Sequence, residues 1–105
     1  MSAAYTRQVV MVRASAVRWA SDDFPGWIEV SVHDARGQDH RIVEKASVLS
    51  PQNITADAAF PIELWIEAAA DDIAGDEVVV TLSHEVETMG GRRSLVLSSA
   101  DVLPS

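Results

Sequence analysis

Trp27-Ile28-Glu29-Val30-Ser31-Val32-His33 is followed by Asp34-Ala35-Arg36-Gly37, and then by His40-Arg41-Ile42-Val43-Glu44-Lys45. The first of these stretches alternates without a break. Ile28, Val30 and Val32 fall on one face, and Trp27, Glu29, Ser31 and His33 on the other. A period of two belongs to an extended chain half-buried on a sheet, because successive side chains point to opposite sides. Asp34 to Gly37 reads as a short hairpin, with the glycine in the left-handed position of a turn followed by a bulge. The return strand is expected to run through Lys45 and on toward Val48 and Leu49.

The same period recurs on both sides of this hairpin. Residues 8–19 alternate loosely through Val10, Val12, Ala14 and Ala16, with Arg13 and Arg18 between them. Asp22-Asp23-Phe24-Pro25-Gly26 breaks that strand, and Pro25-Gly26 suits the centre of a type II turn. Ser50-Pro51-Gln52-Asn53 opens a polar loop reaching about Ala59. Ile62 to Ala68 alternates again and ends in a turn near Gly75, in preference to a helix through Ala68-Ala69-Ala70. Val78-Val79-Val80-Thr81-Leu82 is rich in β-branched residues. Met89-Gly90-Gly91 marks a further turn before Ser94-Leu95-Val96-Leu97. Six strand candidates separated by glycine and proline describe an all-β chain, a small barrel or a sandwich.

The 105 residues suit one domain spanning 1–105, and 48 % hydrophobic composition is enough for a core, although fifteen of those residues are alanine. There is no cysteine, which excludes disulfides, zinc ribbons and thiol nucleophiles. Met1 to Arg7 lacks the charged start and apolar run of a secretory signal, and no aliphatic run approaches the ~20 residues of a membrane helix. The expectation is a soluble, cytoplasmic chain. Its net charge of −8 argues against nucleic acid, which is gripped by clustered Lys and Arg. The charge is local: residues 1–50 carry six basic and six acidic side chains, whereas residues 51–91 carry nine acids and no Lys or Arg. A field of one sign over part of a surface steers oppositely charged partners.

Catalytic and cofactor motifs are missing. Neither G-x-x-x-x-G-K-[ST] nor G-x-G-x-x-G occurs, and G-x-S-x-G is absent. Ser83-His84-Glu85 holds the three residue types of a triad, but adjacent strand positions face opposite ways. His33 and His40 flank one hairpin, with Asp34 and Asp39 nearby, and are the best metal candidates; three or four convergent ligands would be required. Arg92 and Arg93, after Gly90-Gly91, form the one basic patch of the second half and a candidate anion site. The most informative constellation is aromatic. Trp27 shares its face with Glu29, and Trp65 lies between Glu63 and Glu67, so both tryptophans sit on the polar side of a strand. Tryptophan there is typical of protein interfaces. On neighbouring strands, Trp27 and Trp65 would form one patch fringed by Glu29, Glu63 and Glu67.

Gly75-Asp76-Glu77-Val78-Val79-Val80-Thr81-Leu82, then Gly90-Gly91-Arg92 and Leu95-Val96-Leu97, resembles the end of the C-terminal β-barrel domain of elongation factor Tu. A longer pattern is similar to small bacterial proteins that use such a barrel alone. It comprises Phe24-Pro25-Gly26-Trp27 with Glu29, Asp34-Ala35-x-Gly37, His40, Glu44-Lys45, and Val86-Glu87 before Gly90. The resemblance implies a six-stranded antiparallel Greek-key barrel of translation-factor type, and it implies no activity.

The functional expectation is a non-catalytic, cofactor-free module that binds a basic protein partner through its acidic surface, in a regulatory or toxin-neutralising role. Neither nucleic acid nor membrane is expected as a partner, and the chain would act as a monomer or a homodimer. The alternative is an anion- or metal-binding enzyme on the same barrel, using His33 and His40.

Overall fold

A computed structural model describes residues 8–20, 26–49, 54, 55 and 57–104, with residues 72–74 described by their backbone alone. The turn expected at Asp22 to Pro25 and the loop start at Ser50 to Asn53 lie outside the described residues. The chain is all-β. Its strands are β1 (Gln8–Trp19), β2 (Trp27–His33), β3 (Asp39–Lys45), β4 (Ile62–Ala74), β5 (Glu77–Leu82), β6 (Ser94–Ser98) and β7 (Val102–Pro104). One helical turn, α1 (Ala46–Leu49), follows β3, and a 3-10 turn over Ser99–Asp101 precedes β7.

The strands form one antiparallel sheet in the order β3-β2-β1-β4-β5-β6. The fourth strand returns to lie beside the first, outside the β1-β2-β3 meander, which is the Greek-key arrangement. The sheet curls until its ends meet at two points. Met89 N donates to Arg41 O at 2.7 Å, and Ala35 N donates to Val96 O at 2.8 Å. Bulges between Ala16 and Arg18 in β1, and between Ala70 and Asp72 in β4, sharpen the curl, since an extra residue bends the strand that carries it.

The apolar phase of each strand faces inward. Val10, Val12, Ala14 and Ala16 of β1 meet Ile28, Val30 and Val32 of β2, Leu64, Ile66, Ala68 and Ala70 of β4, and Leu95 and Leu97 of β6, all buried. The alanines concentrate on β1 and β4, the adjacent central strands, where Val10 faces Ala68 and Ala14 faces Leu64. Small side chains there leave room for the sheet to close on itself.

Two features depart from expectation. The return strand stops at Lys45, which pairs with Trp27, the first residue of β2. Ala46 N instead donates to Gly26 O at 3.2 Å, and the turn of α1 carries Leu49 into the end of the core. Among the described residues the strands also number seven, not six. β7 pairs with Val10 to Val12 of β1, on the flank that β2 leaves free, because β2 pairs only with Ser15 to Trp19. Its three residues are too few to show a period, and its proline suits a strand with an open edge.

Gly26 is packed against an aromatic ring. A Cβ there would lie 2.8 Å from the Trp19 ring, which itself meets Phe60 edge-on at 6.1 Å. Gly26→Ala is therefore expected to lower stability by about 1–3 kcal/mol, the usual cost of forcing atoms into a filled space. Urea unfolding of the variant checks this, and wild-type stability would contradict the packing.

Candidate functional site

Glu63, Trp65 and Glu67 project outward from β4, because Leu64 and Ile66 between them are committed to the core. Pairing with β1 sets Ser15 opposite Glu63, Arg13 opposite Trp65 and Met11 opposite Glu67. β7 then places Leu103 opposite Met11. Leu103 is 48 % exposed and Val9, two residues before Met11 on the same face, is 52 % exposed. Three strands thus build one wall, with Trp65, Met11, Val9 and Leu103 as its apolar part and Glu63, Glu67 and Asp101 as its acids.

Arg13 lies across this wall. Its guanidinium carbon sits 5.2 Å from the centroid of the Trp65 ring, its Nη1 3.6 Å from Glu63 Oε1 and its Nε 3.6 Å from Asp101 Oδ1. Glu67 Oε2 is 3.5 Å from His84 Nε2. His84 and Glu85 are consecutive non-glycine residues at φ 60° and 59°. Left-handed backbone of this kind costs roughly 1–2 kcal/mol per residue, so the tertiary structure holds this turn in place.

Trp27 and Glu29 lie elsewhere. β1 separates β2 from β4, and Trp27 adjoins the Trp19 end of β1 whereas Trp65 faces Arg13. Six positions along a strand put the two rings about 20 Å apart, so they do not form one patch. Trp27 instead carries Lys45 Nζ at 5.9 Å from its ring centroid, across the β2–β3 pair. Glu29 is only 8 % exposed and is enclosed by arginines. Its Oε1 accepts from Arg18 Nε and Nη2 at 3.1 and 3.0 Å, and its Oε2 accepts from Arg41 Nη1 at 2.6 Å. Arg41 Nε also donates to Asp39 Oδ2 at 2.7 Å, and Asp39 Oδ1 accepts from the Ser31 hydroxyl. The Arg18 hydrogen bond, followed by Arg41, holds the Glu29 carboxyl below its ordinary range against the opposing effect of burial. Ser31 and then Arg41 do the same for Asp39. Glu29 is a structural anion, not a free edge of a docking surface.

His33 and His40 do not converge. His40 pairs with Val32 and His33 with Asp39, so the two imidazoles leave opposite faces of the hairpin. His40 Nε2 lies 2.9 Å from Asp34 Oδ2, while Asp34 Oδ1 accepts from the backbone of Arg36 and Gln38 and Gly37 adopts φ 80°. His40, then the Gln38 amide, holds the Asp34 carboxyl below its ordinary range. Among the described residues no group of three or more His, Asp or Glu could hold a metal ion. Arg92 and Arg93 are exposed on the approach to β6, where Arg92 N donates to Thr88 Oγ1 at 3.1 Å. The depression lined by Val48, Leu49, Ile66, Leu82 and Val86 has room for about one water molecule, too little for a substrate. No helix among the described residues is long and apolar enough to cross a membrane.

Sequence reasoning missed Arg13, Met11, Asp101 and Leu103. Arg13 and Met11 are on the outward phase of β1, but their meeting with Trp65 depends on the β1–β4 register, across about fifty residues of chain. Periodicity assigns a face to each residue and is silent on that register. No protein-family model, curated protein or solved structure matches the chain.

Proposed function

We propose that this chain is a small cytoplasmic protein-binding module that receives a basic, amphipathic partner on the wall built by β1, β4 and β7, in a regulatory or toxin-neutralising role. The observation that carries the reading is where the acids are satisfied. In the first half, Glu29, Asp34 and Asp39 each engage a basic side chain within the fold. In the second half, among the described residues, Glu63 and Asp101 share one arginine, Arg13, and Glu67 meets His84, whereas Asp76, Glu77, Glu85 and Glu87 are exposed and carry no ion pair. The wall that carries Glu63 and Glu67 also carries the exposed Leu103 and Val9 and the half-buried Trp65 and Met11. Acidic rims select cationic partners and speed their approach, and a flat indole supplies apolar contact area. We read the barrel as a translation-factor-like module working alone; the acidity of the wall argues for a protein in preference to RNA.

The test is capture from lysate on immobilised protein at low and high salt. A partner released by salt should be held by wild type and by Glu87→Lys, which makes the same charge change beside the seam where Met89 N bonds Arg41 O of β3. Trp65→Ala and Glu63→Lys should each retain at least tenfold less, a loss of order 1.4 kcal/mol or more. Equal retention by all four proteins, or no salt-sensitive partner, overturns the reading.

A further inference from the structure

The Arg13 guanidinium is seated between the flat face of Trp65 and two carboxylates, and its seat is loose. Its ion-pair contacts to Glu63 and Asp101 are both 3.6 Å, beyond the 2.7–2.9 Å of a charge-assisted hydrogen bond. The same fold shows what committed arginines look like: Arg18 and Arg41 approach Glu29 at 3.0 and 2.6 Å. A planar ring beside two carboxylates suits a guanidinium better than an ammonium, because guanidinium stacks on the ring and offers several donors in its own plane.

Building on the docking reading above, we propose that Arg13 is a resident stand-in for an arginine of the partner, which displaces it from the Trp65–Glu63–Asp101 seat on binding. Arg13 belongs to β1, whose backbone is fixed by pairing on both flanks, so its side chain cannot bring other atoms onto the wall. An incoming arginine on an amphipathic segment brings its apolar neighbours too. Those neighbours cover Met11, Leu103 and Val9, which Arg13 leaves open. The displaced Arg13 head moves into water, which it already touches. The negative charge of the second half attracts the incoming cation, and the apolar contacts of its neighbours offset the competition from Arg13, which stays tethered nearby.

The experiment titrates N-acetyl-arginine amide and N-acetyl-lysine amide into wild type, Arg13→Gln, Arg92→Gln and Trp65→Ala, following the tryptophan indole resonances by NMR. Arg13→Gln should bind the arginine probe at least about fivefold more tightly than wild type, with the change centred on the Trp65 indole. Arg92→Gln alters net charge equally and should titrate like wild type; the lysine probe should be weaker, and Trp65→Ala should abolish binding. Arginine binding no tighter in Arg13→Gln than in wild type, or an equal gain in Arg92→Gln, overturns the exchange. If that occurs while Trp65→Ala still loses the captured partner, the wall remains the docking face and only the stand-in role of Arg13 falls. Loss of both results removes both readings.

Discussion

Leu97→Ala is expected to lower the free energy of unfolding by about 2–5 kcal/mol, a large share of the roughly 5–15 kcal/mol available to a domain of this size. Leu97 is fully buried on β6, opposite Val78 of β5. β6 is the last strand of the main sheet path, with one continuous ladder, and beyond that ladder Ala35 N bonds Val96 O. Its attachment therefore depends on Leu95 and Leu97 reaching the common core. Truncation at 97 leaves a cavity in a close-packed core that the surrounding side chains fill only in part. Urea unfolding followed by tryptophan fluorescence measures the loss. A change below about 1 kcal/mol would mean that β6 does not close this core.

Glu29→Ala is expected to cost roughly 2–3 kcal/mol, more than an ordinary surface ion pair, because the carboxylate is enclosed while its partners are partly in water. Removal leaves Arg18 and Arg41 facing an empty space without their common anion. The same group shapes the acid limb of stability. Folding lowers the Glu29 and Asp39 carboxyls, so their contribution is present above the unfolded carboxylate range near pH 4 and is lost as pH falls through the lowered folded values. Wild type should lose stability steeply below about pH 5. Glu29→Gln should start lower at neutral pH and fall less steeply, so that the two curves converge in acid. Parallel curves, or a Glu29→Ala variant as stable as wild type, would count against the network.

That result bears on what could be read from residue order. Alternation placed β1, β2 and the first half of β4, β-branched content placed β5, and the glycine turns expected at Gly37 and near Gly75 are present, with φ 80° and 64°. Alternation also put Glu29 on the non-core face of β2, correctly. It could not reveal that Arg18 and Arg41 cover that face, because both come from neighbouring strands whose registers are tertiary facts. Trp27 and Trp65 illustrate the same limit. Each is on the outward side of its strand, and their separation follows from the insertion of β1 between them. Glu63, Trp65 and Glu67 were legible as a unit for the opposite reason: they share one strand and need no register. The one-turn helix α1 and the three-residue β7 were illegible because neither is long enough to carry a period.

β1 has three pairing partners, and two of them come late in the chain. Val12 faces Ile66 on one flank and Val102 on the other. Such pairings close loops of tens of residues before any contact repays their entropy, which places the molecule among slow folders, on the millisecond-to-second scale. During that interval β1 shows bare hydrogen-bonding edges beside valine-rich faces, the template on which chains aggregate. Mutual repulsion between copies carrying a charge of −8 keeps the unfinished chains apart. The acidity of the second half therefore protects the chain while its first strand waits for its last.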